Sequence, residues 1–483
     1  MTGAARARCP LALLLALLGG CASLHDSAPP VAPIVVTADA WQSPLPWTVA
    51  EPADGRAKGD WWRVFDDAEL SALIDRAERD SATLDGLAAR LRQARAGTQF
   101  ARAGTLPRID ASGRLLRQKS SANRAGASYN ANTTSTTQND AALGLGASYE
   151  IDLFDRITNE ISSAAATEAQ LAADLANARL VLAADLAAGY FTLRQTDAEI
   201  AVLRDSIDAQ SRAVVLLRAR HDGGAASGLD EAQQQAQLDA AVTQLELLRR
   251  QRPLIEHALA TLSGQPAGSF VIAARADWAA APPVVPLALP SEVLQRRPDV
   301  AAAQYAVAAA NAQIGVARAG FFPSLLLSAT AGLDSRELRQ LFDGPSLLWS
   351  LGAGVVQTVF DGGRNSARLE AARAAHEGTS AAYRQTVLRA VQEVEDGLAG
   401  LDALGRAANG AAAATASARK ALDVAEARQA GGLATWLDVV TATQRLLDTQ
   451  RQAAQIRGQQ FVTTAQLVKA LGGGWRGDDI GLR

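Results

Sequence analysis

Residues 141–171 read AALGLGASYEIDLFDRITNEISSAAATEAQL, and the pattern changes period partway along. Leu143, Leu145, Ala147, Tyr149, Ile151 and Leu153 are apolar or nearly so. Between them Gly144, Gly146, Ser148, Glu150 and Asp152 are small or polar. A period of two puts the two sets on opposite faces of a strand. Past Phe154-Asp155 the spacing becomes helical. Leu171, Leu182 and Leu193 recur every eleven residues, with Leu175 and Leu186 one turn further on. No proline interrupts the pattern before Asp222. Asn159 to Asp222 therefore predicts a helix roughly 95 Å long, at about 1.5 Å per residue. A globular domain has no use for such a helix; a wall that crosses a compartment has.

The composition agrees. Of 483 residues 48% are hydrophobic, yet only 5% are aromatic, and alanine dominates. Small side chains let long helices pack closely, as coiled coils and helical tubes require. The net charge of −3 gives no basic surface for nucleic acid. Lysine occurs only at 58, 119, 420 and 469, so almost all the cations are arginine.

The N-terminus carries an address. Arg6 and Arg8 precede the apolar run Leu11 to Leu18, which is too short to span a membrane and reads as a signal peptide over 1–20. It ends Leu18-Gly19-Gly20-Cys21, which resembles a bacterial lipobox. Cleavage there removes Cys9, makes Cys21 the acylated N-terminus and leaves no pair of cysteines for a disulfide. A covalent lipid on Cys21 is the only non-protein group expected. More than one acyl chain gives stable anchoring. Ala22 follows in place of the aspartate that commonly signals inner-membrane retention, which points to the outer membrane of a Gram-negative cell.

Residues 21–58 form a Pro- and Ala-rich arm. Two repeats follow, 59–264 and 291–474, separated by a linker over 265–290 and closed by a tail over 475–483. In the first, Trp61-Trp62 and Phe65 lead into a helix capped at Asp66 or Asp67, with Leu70, Ala77, Leu84, Leu91 and Thr98 at sevens. A strand over Arg108 to Arg117 and a polar loop from Gln118 to Asp140 lead to the strand and long helix above. In the second, Ser291 to Ala319 is helical, Ser324 to Asp334 and Trp349 to Phe360 are strands, and Phe360-Asp361 echoes Phe154-Asp155. Val387, Val391, Val394, Leu398 and Leu401 then mark another long helix. Its end, Arg428 to Asp438, matches Arg220 to Asp230 position by position. Gly223-Gly224 and Gly431-Gly432 read as the turns of two helical hairpins. Val440, Leu447, Ala454, Phe461 and Val468 give the last helix its stripe.

Each half thus supplies two strands of about ten residues, the length that crosses a bilayer when tilted. A spanning sheet must close, because open edges cannot be satisfied in lipid. Known barrels start at eight strands, so four per chain require several chains to share one barrel. Glu150, Asp152, Ser328, Thr330 and Thr358 lie opposite the apolar face and suit a wet lumen.

These residues resemble the TolC-like outer-membrane efflux proteins, in particular the lipoprotein (NodT-type) branch that serves resistance-nodulation-division efflux systems. The resemblance covers nearly the whole mature chain. It rests on Trp61-Trp62-Arg63-Val64-Phe65-Asp66, Arg296-Arg297-Pro298-Asp299-Val300, Ala317-Arg318-Ala319-Gly320-Phe321-Phe322-Pro323, Phe360-Asp361-Gly362-Gly363-Arg364 and Glu393-Val394-Glu395-Asp396. It implies a mixed α and β fold and a homotrimer. Four transmembrane β-strands per chain would join a shared twelve-stranded barrel, and coiled-coil helices would form a periplasmic α-barrel. It also implies a passive duct for small molecules such as drugs. The implied partners are a periplasmic adaptor, an inner-membrane resistance-nodulation-division pump and outer-membrane lipid. By the resemblance Asp438, Thr441 and Asp230 fall at the periplasmic aperture. Gly223, Gly224, Gly431, Gly432 and Ala434 fall at the hairpin tips that meet the adaptor. Thr441 stands where some members carry a second acid, Ala434 where some carry arginine, and Gln304 where many carry glutamate. Asp230 and Asp438 also suit helix N-capping after the Gly-Gly turns.

Other classes fit less well. The four histidines, at 25, 221, 257 and 376, have no metal-ligand spacing, and no nucleophile or phosphate-loop motif is present. An enzyme is not expected. A coiled-coil lipoprotein scaffold leaves four amphipathic strands without use, and a soluble sandwich ignores the lipobox. Within the duct class, type I protein secretion is the alternative to small-molecule efflux.

Overall fold

The computed structural model describes residues 60–119, 121, 137–275, 282–283 and 296–473. The signal peptide, Cys21, the arm, the middle of the 265–290 linker and the 475–483 tail lie outside them.

A 3-10 turn, Trp61–Phe65, opens the described chain. Asp67 then caps helix α1 (Ala68–Asp80), accepting from the backbone N–H of Glu69 and Leu70 at 3.0 and 3.1 Å. The sequence predicts one helix through the sevens, but the structure breaks it at Ser81. That residue is extended (φ −74°, ψ 111°), ends α1 and begins α2 (Ala82–Ala103). Its hydroxyl accepts from the Leu84 N–H at 3.4 Å, the capping use that serine favours over a helix interior. The stripe survives the break: Leu70, Ala77, Leu84, Leu91 and Thr98 are all buried.

Four strands form one antiparallel sheet in the order β1 (Arg108–Lys119), β2 (Thr137–Ile151), β3 (Ser324–Ser335) and β4 (Leu347–Val356). The β2–β3 pair joins the two halves of the chain. The register is continuous, with Ile109 opposite Ala147, Ala147 opposite Ala329 and Ala329 opposite Leu351. Odd-numbered residues therefore share a face across all four strands. Leu143, Tyr149, Leu325, Leu327, Trp349, Leu351 and Val355 make it apolar. The opposite face holds Glu150, Ser328 and Thr330, as expected, with Leu116, Leu326, Leu348 and Val356 among its apolar exceptions.

The strand boundaries move. The hairpin strands run on to Lys119 and from Thr137, so the polar loop is shorter than 118–140. β4 begins at Leu347 and stops at Val356, not at Phe360, because its last partner is Ser324. The residue before Ser324 is Pro323, which has no N–H to offer a ladder. Thr358 consequently lies outside the sheet. Asp152 leaves it too, for a reason at the helix that follows.

That helix, α3 (Arg156–Asp222), has 67 residues and spans about 100 Å at about 1.5 Å per residue. Asp152 caps it, accepting from the N–H of Ile157 at 3.0 Å and of Thr158 at 2.8 Å. In the second half the same work falls to Asp361, which takes the N–H groups of Gly363, Arg364 and Asn365. The echo of Phe154-Asp155 in Phe360-Asp361 is thus one of sequence, while the capping carboxylates are Asp152 and Asp361. Gly362 and Gly363 turn at φ 69° and 88° into α6 (Arg364–Ala430), again 67 residues.

The descending helices match as well: α4 (Gly228–Leu262) and α7 (Trp436–Ala470) have 35 residues each. α4 continues through Pro253. A shorter helix, α5 (Pro298–Ala319), leads into β3. α3 packs against α2, α4, α5 and α7, whereas α6 packs chiefly against α5 and α7. The main core lies where α1, α2, mid-α3, the end of α4 and the end of α7 meet. Phe191 sits at its centre, 4.8 Å from both Phe65 and Phe461, and Phe270 and Ile272 of the linker tuck in beside it. Among the described residues no helix is long and apolar enough to cross a membrane.

Candidate functional site

Three places concentrate the chemistry: the hairpin tips, a charged cluster halfway along α3, and the sheet.

At the tips both Gly-Gly turns close alike. The N–H of Ala225 donates to the Arg220 carbonyl at 2.7 Å, and that of Leu433 to the Arg428 carbonyl at 2.8 Å. This six-to-one bond satisfies a carbonyl left open at the helix end. Only the second glycine of each pair, Gly224 and Gly432 at φ 73°, is left-handed. Gly223 and Gly431, at φ −84° and −83°, are conformationally ordinary.

The tip acids are both capping acids. Ser227 and Asp230 form a reciprocal capping box at the start of α4, and Thr435 and Asp438 form one at the start of α7. Asp438 accepts from the Thr435 hydroxyl and N–H, both at 2.8 Å. The Thr435 hydroxyl, its N–H and the nearby Arg428 cation hold the fully exposed Asp438 carboxyl below the usual carboxylate range. Thr441 turns its hydroxyl back onto the Leu437 carbonyl at 2.8 Å. Ala434 lines a groove of about 510 Å³ together with Lys420, Val424, Arg428, Leu433 and Asp438. In the first hairpin, Arg218 pairs with Glu231 at 2.9 Å across the turn.

One contact here escaped the sequence reading. The Trp436 indole N–H donates to Oε1 of the buried Gln234 at 3.2 Å, tying the second hairpin to α4 of the first. A tryptophan in a tip otherwise built of small residues is the signal that could have found it.

The cluster on α3 escaped it entirely. Arg194 is fully buried and is ion-paired to Asp197 and to Glu69 of α1, and it donates to the Ala273 carbonyl at 2.7 Å. Arg252 of α4 reaches Asp197 at 2.7 Å and Glu256 at 2.9 Å. Arg275 of the linker pairs with Asp67 at 2.6 Å, and the Tyr190 hydroxyl donates to the same carboxylate at 2.9 Å. Burial alone would raise Asp67. The Leu70 N–H, the Tyr190 hydroxyl and the Arg275 cation outweigh it and leave the carboxyl below its ordinary value. These groups fasten α1 and residues 270–275 to mid-α3. In the second half Arg297 does related work, pairing with Asp299 at 2.7 Å and Glu393 of α6 at 2.8 Å. It also donates to the Ala470 carbonyl at the end of α7 at 2.9 Å.

At the sheet, Arg156 of α3 bridges Glu150 of β2 and Glu160 of α3, both at 2.7 Å, across the strand-to-helix junction. Phe154 stacks on Phe322 at 4.7 Å beside it.

A two-faced sheet continued by paired helical hairpins of matched length defines a membrane channel subunit with a long helical extension. Comparison with known proteins names the class. The model of the outer membrane efflux protein family matches residues 73–265 and 289–473, and the chain belongs to that family. It is an outer-membrane channel component of efflux pumps in Gram-negative bacteria, and not an enzyme. The pyoverdine export outer membrane protein OpmQ of Pseudomonas aeruginosa is 32% identical over 470 residues, covering 96% of each chain. The outer membrane protein OprJ of the same organism is 33% identical over 479 residues, covering 96% of this chain and 95% of that one. Among solved structures, the outer-membrane channel OprN superposes with a TM-score of 0.82 at 26% identity, over 92% of this chain and 99% of that one. VceC of Vibrio cholerae gives 0.79 at 28%, over 86% and 99%.

Proposed function

We propose that three copies of this chain close a twelve-stranded barrel in the outer membrane and a helical tube below it. Together they form a passive duct for small molecules such as drugs. The observation that carries this reading is the open sheet: among the described residues β1 and β4 are edges, each with a neighbour on one side only. In lipid such edges must be paired, and four strands are too few to close. The bare flanks of α6 support the same assembly, since copies side by side would cover them.

Cys21 is the proposed lipid anchor. The tips, with Gly223, Gly224, Gly431, Gly432 and Ala434, are the proposed seat of a periplasmic adaptor, and a resistance-nodulation-division pump is the proposed inner-membrane partner. Asp438, Thr441 and Asp230 would line the aperture. Each aspartate already serves a capping box, so both roles fall on one carboxylate. Across a wet pore such charges interact by about 1 kcal/mol or less per pair, enough to bias ions but not to hold a gate shut. The small-molecule cargo is supported by relatives described as antibiotic and toluene efflux pump outer membrane proteins.

The test is native mass and bilayer conductance of the purified lipoprotein, with photo-crosslinking in cells from Ala434. A conducting trimer that captures an adaptor and a resistance-nodulation-division pump is the expected result. Capture of an ATP-driven transporter would move the reading to type I secretion. A non-conducting monomer would overturn the duct.

A further inference from the structure

The strands carry eight charged residues, and their distribution is uneven. Arg108, Asp110, Arg114, Asp140, Glu150 and Asp334 have even numbers and lie on the polar face. Arg117 and Lys119 have odd numbers and lie on the apolar face. They follow Ile109, Ala111, Gly113 and Leu115 along that face of β1, at the end of the sheet away from the helices. Across the β1–β2 pair Arg117 faces Asn139 and Lys119 faces Thr137, both neutral. The nearest strand acid, Asp140, is engaged on the other face by Arg114.

The height of this pair follows from the register. On β2 the apolar stretch of the same face runs from Ile151 to Ala141, ten residue steps, before the polar Asn139 and Thr137. At about 3.4 Å per residue and a tilt of about 40°, that is a band roughly 26 Å tall, the height of the apolar belt on an outer-membrane barrel. Arg117, opposite Asn139, lies two residue steps above it, and Lys119 two further. A cation in the belt is costly and becomes tolerable near the interface, where anionic headgroups attract it.

We propose that Arg117 and Lys119 form a binding site for the phosphates of an outer-leaflet lipid, on the lipid-facing rim of the barrel. The guanidinium offers two parallel donors to phosphate and the ammonium a point charge, while Leu115 below them meets acyl chain. The proposal rests on the shared-barrel reading, which puts this face toward lipid.

Native mass spectrometry of the purified protein with bis-phosphorylated lipid A, and separately with the enzymatically dephosphorylated lipid, tests it. The protein should retain the phosphorylated lipid about tenfold better, and the double variant Arg117→Gln/Lys119→Gln should retain both equally. A trimer with no preference overturns the site, and so does a preference that survives in the double variant. If the variant instead loses trimer mass while lipid preference per trimer is unchanged, the cations serve the seam between copies, where the exposed Asp343 precedes β4, and the proposal falls. Failure of the shared barrel itself reads out separately, as a wild-type protein without trimer mass or conductance.

Discussion

α3 and α6 have the same length, the same place in their halves and nearly the same approach from the sheet, yet they are buried very differently. Of 67 residues each, α3 buries 22 and α6 only five: Val387, Ala390, Val394, Leu398 and Ala411. Helix length and register are local properties of the sequence. Burial depends on which other elements the chain folds onto the helix. α1, α2, α4 and the linker all settle on α3, and so do charges that no solvated helix needs. α6 receives α5 and α7 and keeps the rest of its surface for the assembly proposed above. The long helix of the first half is therefore largely covered within the chain, while that of the second is left largely exposed.

The sharpest way to break this comparison is to make the same change at corresponding positions. Counting from the helix starts at Arg156 and Arg364, Arg194 of α3 corresponds to Asp402 of α6. Arg194→Ala takes from Asp197 one of its two cations, Arg252 remaining, and from the part-exposed Glu69 its partner, and should cost about 2–3 kcal/mol in thermal or denaturant unfolding, below the full range for an orphaned buried charge. Asp402→Ala removes only a surface pair with Arg406 and should stay within about 0.5 kcal/mol. Equal losses would show that the two halves are held alike after all.

A smaller effect tests the tie between the hairpins. Trp436→Phe removes the indole donor and leaves the Gln234 carbonyl buried without its partner, at about 1–3 kcal/mol. The two hairpin tips should then exchange amide hydrogens faster, while the Phe191 core stays protected. At the turns, Gly432→Ala forces a side chain into the left-handed region and should cost about 1–2 kcal/mol; Gly431→Ala should cost only a few tenths.

The gentlest probe is acid. Asp67 is held below its unfolded value, so its contribution is complete above about pH 4 and is lost as pH falls through the depressed folded value. Melting temperature followed through that window should drop less steeply in Asp67→Asn than in the wild type.

Much of this could be read from the residues. Alternation around Tyr149 and Leu327 placed the sheet faces, and the sevens from Leu70 to Thr98 named buried positions. The matched tips placed both turns. What could not be read depended on partners distant in the chain. Arg194 and Asp197 look like part of an ordinary solvated face until Glu69, Arg252 and residues 273–275 arrive to bury them. The break at Ser81 was hidden because the stripe stays in phase across it. The end of β4 was set by Pro323 on the opposite strand. At the tips the spacing located Asp230 and Asp438, but their hydrogen bonds show each carboxylate already engaged by its own helix.

The equal lengths of the hairpins carry a consequence for how such a chain can change. An insertion of one turn in α3 and α4 alone would lower the first tip about 5 Å below the second. It would also slide Trp436 off Gln234. Longer or shorter hairpins with level tips are reached only by changes made in duplicate, in four helices at once. Drift along the helix surfaces is cheap by comparison, so substitutions should accumulate there while the spacing between sheet and turns stays fixed.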